Sequence, residues 1–154
     1  MGKPRSPAGR AALIHARLEK EYVAHCELVH RNAFELLVAT ILSAQCTDVR
    51  VNATTPALFD YYPDPSAMAS AELAHLEELI RSTGFYRNKA KNLSRMANQL
   101  LDSHSGEVPE SRKQLVELAG VGRKTANVIR SVAFGLPGLP VDTHVGRLAR
   151  RLSL

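Results

Sequence analysis

The sequence predicts an all-α fold, and three observations carry the prediction. Apolar residues recur at helical spacing in nearly every segment. No segment alternates apolar and polar residues over the length of a strand. Glycine and proline punctuate the helical stretches at 63–65, 84, 106–109, 120–122 and 135–140, and the break Gly120-Val121-Gly122 joins two helical patterns by a tight turn.

The elements follow in order. Residues 1–10 are polar and basic, hold two prolines, and read as a disordered tail with no signal-peptide core after it. A helix over 11–28 carries Leu13, Ile14, Leu18, Tyr22 and Val23 as a stripe. Asn32 and Glu35 have capping-box spacing and open the run from Phe34 to Leu42, which has almost no polar side and reads as a central buried helix. A helix from Asp48 to Phe59 stops near Pro63 and Pro65. Ser70 can cap residues 71–81, with Leu73, Leu76, Leu79 and Ile80 inward, and Gly84 ends that helix. A basic helix over 88–104 buries Leu93, Met96, Ala97 and Leu100. Residues 110–119 direct Leu115, Val116 and Leu118 inward, and 123–134 do the same with Ala126, Val128, Ile129 and Val132. After a Gly/Pro loop, Asp142 or Thr143 caps a last helix that presents Val145, Leu148, Ala149 and Leu152.

Composition bounds the function. The chain has 154 residues and is 45% hydrophobic, enough for one domain with a packed core. Lys+Arg number 20 against 15 Asp+Glu, a net charge of +5 that suits a polyanionic partner and equally describes a plain basic surface. No apolar run approaches the ~20 residues that a membrane span needs. Cys26 and Cys46 make no disulfide framework, which points to a reducing, cytoplasmic setting.

The chemistry gathers around the glycine turn. Amides at the turn and at the start of the next helix lack intrahelical partners and can receive an anion such as a phosphate. Val121 is apolar and fits as a pin into the core, while Arg123 and Lys124 add charge suited to phosphate. Lys124 falls in the first turn of its helix. An amine attacks carbon only when unprotonated, and a helix amino terminus, aided by partial burial, disfavours the ammonium form. Alone, such a lysine is more often a solvated phosphate contact. Asp142 is an N-cap candidate, and in a DNA-cutting site the same carboxylate stabilises positive charge on a sugar and moves protons.

These residues match a known family. Leu42-Ser43-Ala44-Gln45-Cys46-Thr47-Asp48, Gly84-Phe85-Tyr86-Arg87-Asn88-Lys89-Ala90, Gly106-Glu107-Val108-Pro109, Leu118 to Asn127, Ala133-Phe134-Gly135 and Val141-Asp142-Thr143-His144 occur in order. The chain resembles the endonuclease III family of DNA glycosylase/AP lyases, from about residue 11 onward. The resemblance implies the helix-hairpin-helix DNA glycosylase fold: a six-helix barrel-like domain over 31–135 with its hairpin motif at 110–134. Residues 11–30 and 136–154 would then be remnants of a second helical domain. It implies base-excision repair in which Lys124 attacks C1′ of the damaged nucleoside, with Asp142 as catalytic aspartate. Relatives acting on adenine or thymine mismatches lack a lysine at this position, which places Lys124 on the lyase branch. Gln45 corresponds to the residue that fills the hole left by a flipped nucleotide, and Phe85 to the apolar wedge. Gly120, Val121, Gly122, Arg123, Thr125 and His144 complete the DNA contacts, with Lys89, Lys91 and Arg147 as further candidates for the backbone. The expected partner is double-stranded DNA with an oxidised pyrimidine or an abasic site, met in the cytoplasm at the nucleoid, with no obligate protein partner and no membrane. A non-catalytic hairpin module and a monofunctional glycosylase are the alternatives.

The sequence departs from the family at three points. Ala119 stands where proline is usual before the hairpin, which should loosen the turn slightly. Cys46 replaces a small residue and is expected to be buried. The family's [4Fe–4S] cluster takes four cysteines. This chain has two, so no cofactor is expected in it, and it reads as a fragment of a longer enzyme whose last helix is left uncovered.

Overall fold

The computed structural model describes residues 6–154, and every regular element among them is helical. They divide into two compact units. Glu27–Pro140 form one, and the two chain ends, up to Cys26 and from Val141 to Leu154, form the other. The boundaries expected from sequence, near 30 and 136, lie within the Glu27–Pro140 unit.

The larger unit is built on α2 (Ala33–Leu42), whose apolar residues Phe34, Leu36, Leu37, Val38, Ala39, Ile41 and Leu42 are all buried. Asn32 accepts from the Glu35 N–H at 2.9 Å. Glu35 closes the box one residue earlier than its usual partner, by accepting from the Arg31 N–H at 2.7 Å. Arg31 also pairs with the Glu35 carboxylate at 2.6 Å, so this buried charge is satisfied.

Around α2 lie α3 (Asp48–Tyr61), α6 (Tyr86–His104) and α8 (Arg123–Ala133). Two short helices, α4 (Pro65–Ala69) and α5 (Leu73–Leu79), pack on α6. Leu93, Met96, Ala97 and Leu100 of α6 are buried as their spacing predicts. A fully buried leucine stabilises by about 1.5–3 kcal/mol, so Leu36, Leu37, Leu42, Leu58, Leu76, Leu93, Leu100 and Leu115 dominate this core.

Several expectations change. The 63–65 break conceals α4: Asp64 accepts from the Ala67 N–H at 2.8 Å and Pro65 takes the first helical position. Ser70 does not start a helix. Its hydroxyl donates back to Ser66 and Ala67 carbonyls, so it ends α4, and α5 begins at Leu73 without a side-chain cap. The helix α7 spans only Arg112–Glu117; Leu115 and Leu118 are buried as expected, but Val116 is exposed, as is Val132 on α8. Cys46 is half-buried rather than buried.

The end unit holds α1 (Pro7–Glu21) and α9 (Thr143–Leu152). Ser6 caps α1 and Pro7 sits at its first position, so the helix starts earlier than residue 11 and stops at Glu21, before Tyr22 and Val23. The part of the expected tail at 1–5 lies outside the described residues. Arg10 on α1 donates to the Ser153 carbonyl just past α9, from Nε at 3.1 Å. Neither helix buries a residue.

Candidate active site and nucleic-acid interface

The hairpin between α7 and α8 divides its labour between two glycines. Gly120 has φ +78°, and a Cβ there would stand 3.1 Å from Asn92 Cβ on α6. Both the backbone conformation and the close approach require glycine. Gly122 has an extended backbone, φ −94°, and an added Cβ would meet nothing within 4 Å. Its hydrogen leaves open space beside the start of α8. Val121, 7% exposed, anchors the turn, and its N–H donates to Leu118 O at 3.1 Å.

The start of α8, like those of α5, α6 and α7, has no side-chain cap. Side chains of Ser6, Asn32, Thr47, Asp64 and Asp142 cap α1, α2, α3, α4 and α9. No side chain caps α8, and the bond from the Ala126 N–H to Gly122 O is the first of its ladder. Among the described residues, the N–H groups of Arg123, Lys124 and Thr125 therefore have no acceptor, and they carry the positive end of the helix dipole. Lys124 is the second residue of α8. Its side chain is exposed, not partly buried as expected, because α8 buries Ala126 and Ile129 on the opposite side. Thr125 is half-buried at the third position.

Ala119 compensates for the missing proline. Its N–H, which proline would lack, donates to Gln99 Oε1 at 2.8 Å, and Gln99 Nε2 donates to Glu117 O at 3.1 Å. One amide of α6 thus clamps the approach to the hairpin.

Sequence reasoning missed a basic groove that continues from the hairpin. It has a volume of about 970 Å³, and its cations are Arg112 and Lys113 of α7 and Arg123 and Arg130 of α8, with no carboxylate among the lining residues. Arg130 is fixed by bonds to Glu110 O at 2.6 Å and Pro137 O at 3.3 Å. Asn127 Nδ2 donates to Leu139 O at 2.9 Å, and Gly138 lies so close to α8 that a Cβ would stand 2.8 Å from Asn127 O. The far wall is therefore held rigidly. The spacing of Arg123, Asn127 and Arg130 on one helical face was the available signal.

Gln45 and Phe85 occupy two turns of the same unit. Both side chains are exposed, Phe85 by 66%, so Phe85 is not ordinary core. Both have left-handed backbones, with φ 51° and 49°. Lys89 is not a backbone-facing surface cation: it is 5% exposed, and burial pushes its ammonium below the ordinary value of 10.5. Lys91 and Arg147 are exposed.

Asp142 and His144 belong to the end unit. Asp142 Oδ1 accepts from the Val145 N–H at 2.8 Å, so it caps α9. His144 is exposed, with its Nδ1 3.2 Å from Arg147 Nη2. Among the described residues no three His, Cys, Asp or Glu side chains gather to hold a metal ion, and none of the helices is long and apolar enough to cross a membrane.

The family model of HhH-GPD superfamily base excision DNA repair proteins matches residues 38–154. Endonuclease III of Bacillus subtilis is 53% identical over 131 residues, which are 85% of this chain and 60% of that protein. Endonuclease III of Synechocystis sp. is 52% identical over 154 residues, covering 99% of this chain and 70% of that protein. A solved structure of a trapped endonuclease III–DNA covalent intermediate is similar, with TM-score 0.89 and 49% identity over 97% of this chain and 70% of the other. The chain thus spans 60% to 70% of the length of these relatives. Similarity across nearly all of its own residues means that the chain belongs to the endonuclease III family of the HhH-GPD superfamily.

Proposed function

We propose that this chain carries the glycosylase/AP-lyase chemistry of base-excision repair on double-stranded DNA. The observation that carries the reading is Lys124 standing exposed at the second position of an uncapped helix, beside the open space at Gly122. Three unpartnered amides and Arg123 hold a backbone phosphate there, and the groove through Arg112, Lys113 and Arg130 takes the phosphates that follow. Supporting it, the relatives of known structure include endonuclease III bound to DNA and trapped covalently on it.

In this proposal the substrate is an oxidised pyrimidine or an abasic site. The Lys124 Nζ lone pair forms a bond to C1′ as the bond from C1′ to the base breaks, and the base leaves with that bond's electron pair and a proton. The sugar ring opens to an imine. Loss of a proton from C2′ then expels the 3′ phosphate, nicking the strand 3′ to the lesion, and water releases Lys124. Asp142 stabilises positive charge on the sugar and moves protons, while still capping α9. Gln45 fills the space left in the duplex and Phe85 wedges the neighbouring base step. Gly120 and Val121 shape the turn, Thr125 lends its amide, and His144 contacts the backbone. The setting is the cytoplasm, at the nucleoid.

A [4Fe–4S] cluster does not fit this chain's residues. Four thiolates are needed, the sequence has two cysteines, and no step above involves the cluster.

Borohydride trapping on an abasic duplex tests the proposal. The chain should form a reduced covalent adduct, and Lys124→Gln should lose it while still binding the duplex. Binding without an adduct would reduce the chain to a hairpin DNA-binding module. Base release without a nick would make it a monofunctional glycosylase.

A further inference from the structure

The turns bearing Gln45 and Phe85 are far apart in sequence, and both hold a side-chain-bearing residue in the left-handed region. Such a conformation is uncommon outside glycine and persists only where its surroundings impose it. Both turns are fastened to the same buried side chain. Lys89 Nζ donates to Leu42 O and to Thr83 O, each at 2.8 Å. Leu42 is the last residue of α2 and leads into the Gln45 turn. Thr83, itself buried, leads into Gly84-Phe85. The Lys89 main-chain N–H donates to Phe85 O at 3.1 Å, so the residue grips the second turn twice.

Lys89 is an unusual choice for a purely structural link. Among the described residues no carboxylate lies in ion-pair range of it. A buried charge is costly unless its hydrogen bonds are made, and an apolar side chain often serves packing equally well. The carbonyl end of α2 offers an unpaired acceptor and the negative pole of the helix dipole. The Lys89 ammonium, on its long stem, reaches from that pole to the second turn with more than one donor.

We infer that Lys89 is a positioning residue that locks the Gln45 and Phe85 turns together, so that the two side chains enter a damaged duplex as one preset pair. This rests on the reading that Gln45 and Phe85 enter the duplex. Its consequence is discrimination between damaged and intact DNA, because a pair already arranged loses less freedom on insertion.

The test is a double-mutant cycle on this chain, reading the ratio of affinities for a duplex with a tetrahydrofuran abasic analogue and for the same duplex intact. Phe85→Ala and Lys89→Met should each lower the ratio by about tenfold, a usual size for coupled residues, and the double variant should fall no further than the worse single one. Losses that multiply, or a wild-type ratio in Lys89→Met, overturn the inference. If Lys89→Met does not melt cooperatively, Lys89→Gln carries the same cycle, since its shorter amide cannot span both carbonyls. Wild-type ratios in both Phe85→Ala and Gln45→Ala would instead overturn the insertion reading, and the inference with it. That outcome is recognised without any Lys89 variant.

Discussion

Two lysines near the starts of successive long helices meet opposite fates. Lys124 is exposed at the mouth of the hairpin, whereas Lys89 is buried between two carbonyls. Lys89 therefore leaves a trace in the pH dependence of stability. Burial holds its ammonium below 10.5 in the folded chain, so approaching that pH the unfolded chain binds more protons than the folded one. Stability then rises with pH in that window, and the penalty is fully present only where both states keep the proton. Urea midpoints should show wild type gaining on Lys89→Met as pH rises toward 10.5. A constant difference would contradict the burial argument. Tyr62, whose phenol burial and Glu72 push above 10.0, is common to both proteins and cancels from their difference. Sequence spacing could not separate the lysines, because both look like basic residues in an early helical turn.

At the scale of the element, the hairpin predicts a contrast between glycines. Gly120→Ala must place a side chain at positive φ and against Asn92, so it should cost about 1–3 kcal/mol in thermal or urea unfolding. Gly122→Ala meets no such strain and should stay within about 0.5 kcal/mol of wild type. In duplex binding the order should reverse for equally folded proteins, because the new methyl enters the space where phosphate approaches the uncapped amides. Equal stability losses would refute the division of labour. The helices themselves were largely legible where one signal dominated. Asn32 with Glu35 marked α2, and the apolar spacing of Leu93, Met96, Ala97 and Leu100 marked the inner face of α6. Misreadings arose where signals competed. Ser70 resembles a helix start, yet its hydroxyl bonds backward into α4, and the short α7 turns Val116 outward into the groove.

Across the whole molecule, the net charge of +5 says little until its distribution is known. The groove gathers Arg112, Lys113, Arg123 and Arg130 without an acid among its lining residues. If phosphates lie there, removing one contact lowers the dependence of log affinity on log salt by about one. Lys113→Ala should therefore reduce the slope by about 1 while leaving thermal stability near wild type, since Lys113 is exposed. A slope equal to wild type would remove the groove from the interface. The chain ends form their own unit through contacts such as Arg10 to Ser153, which no local pattern in either helix announces.

By itself, the sequence determined the all-helical class, the central apolar helix, the glycine bend, and the lysine and aspartate at successive helix starts. These depend on periodicity, caps and turn chemistry, which act over a few residues. Tertiary structure alone decided that Lys89 is buried between two turns, that Gln99 replaces the constraint of the missing proline, and that cations of α7 and α8 line one groove. Each of these rests on residues distant in the chain meeting in space, and burial, hydrogen bonding and charge clustering are properties of that meeting.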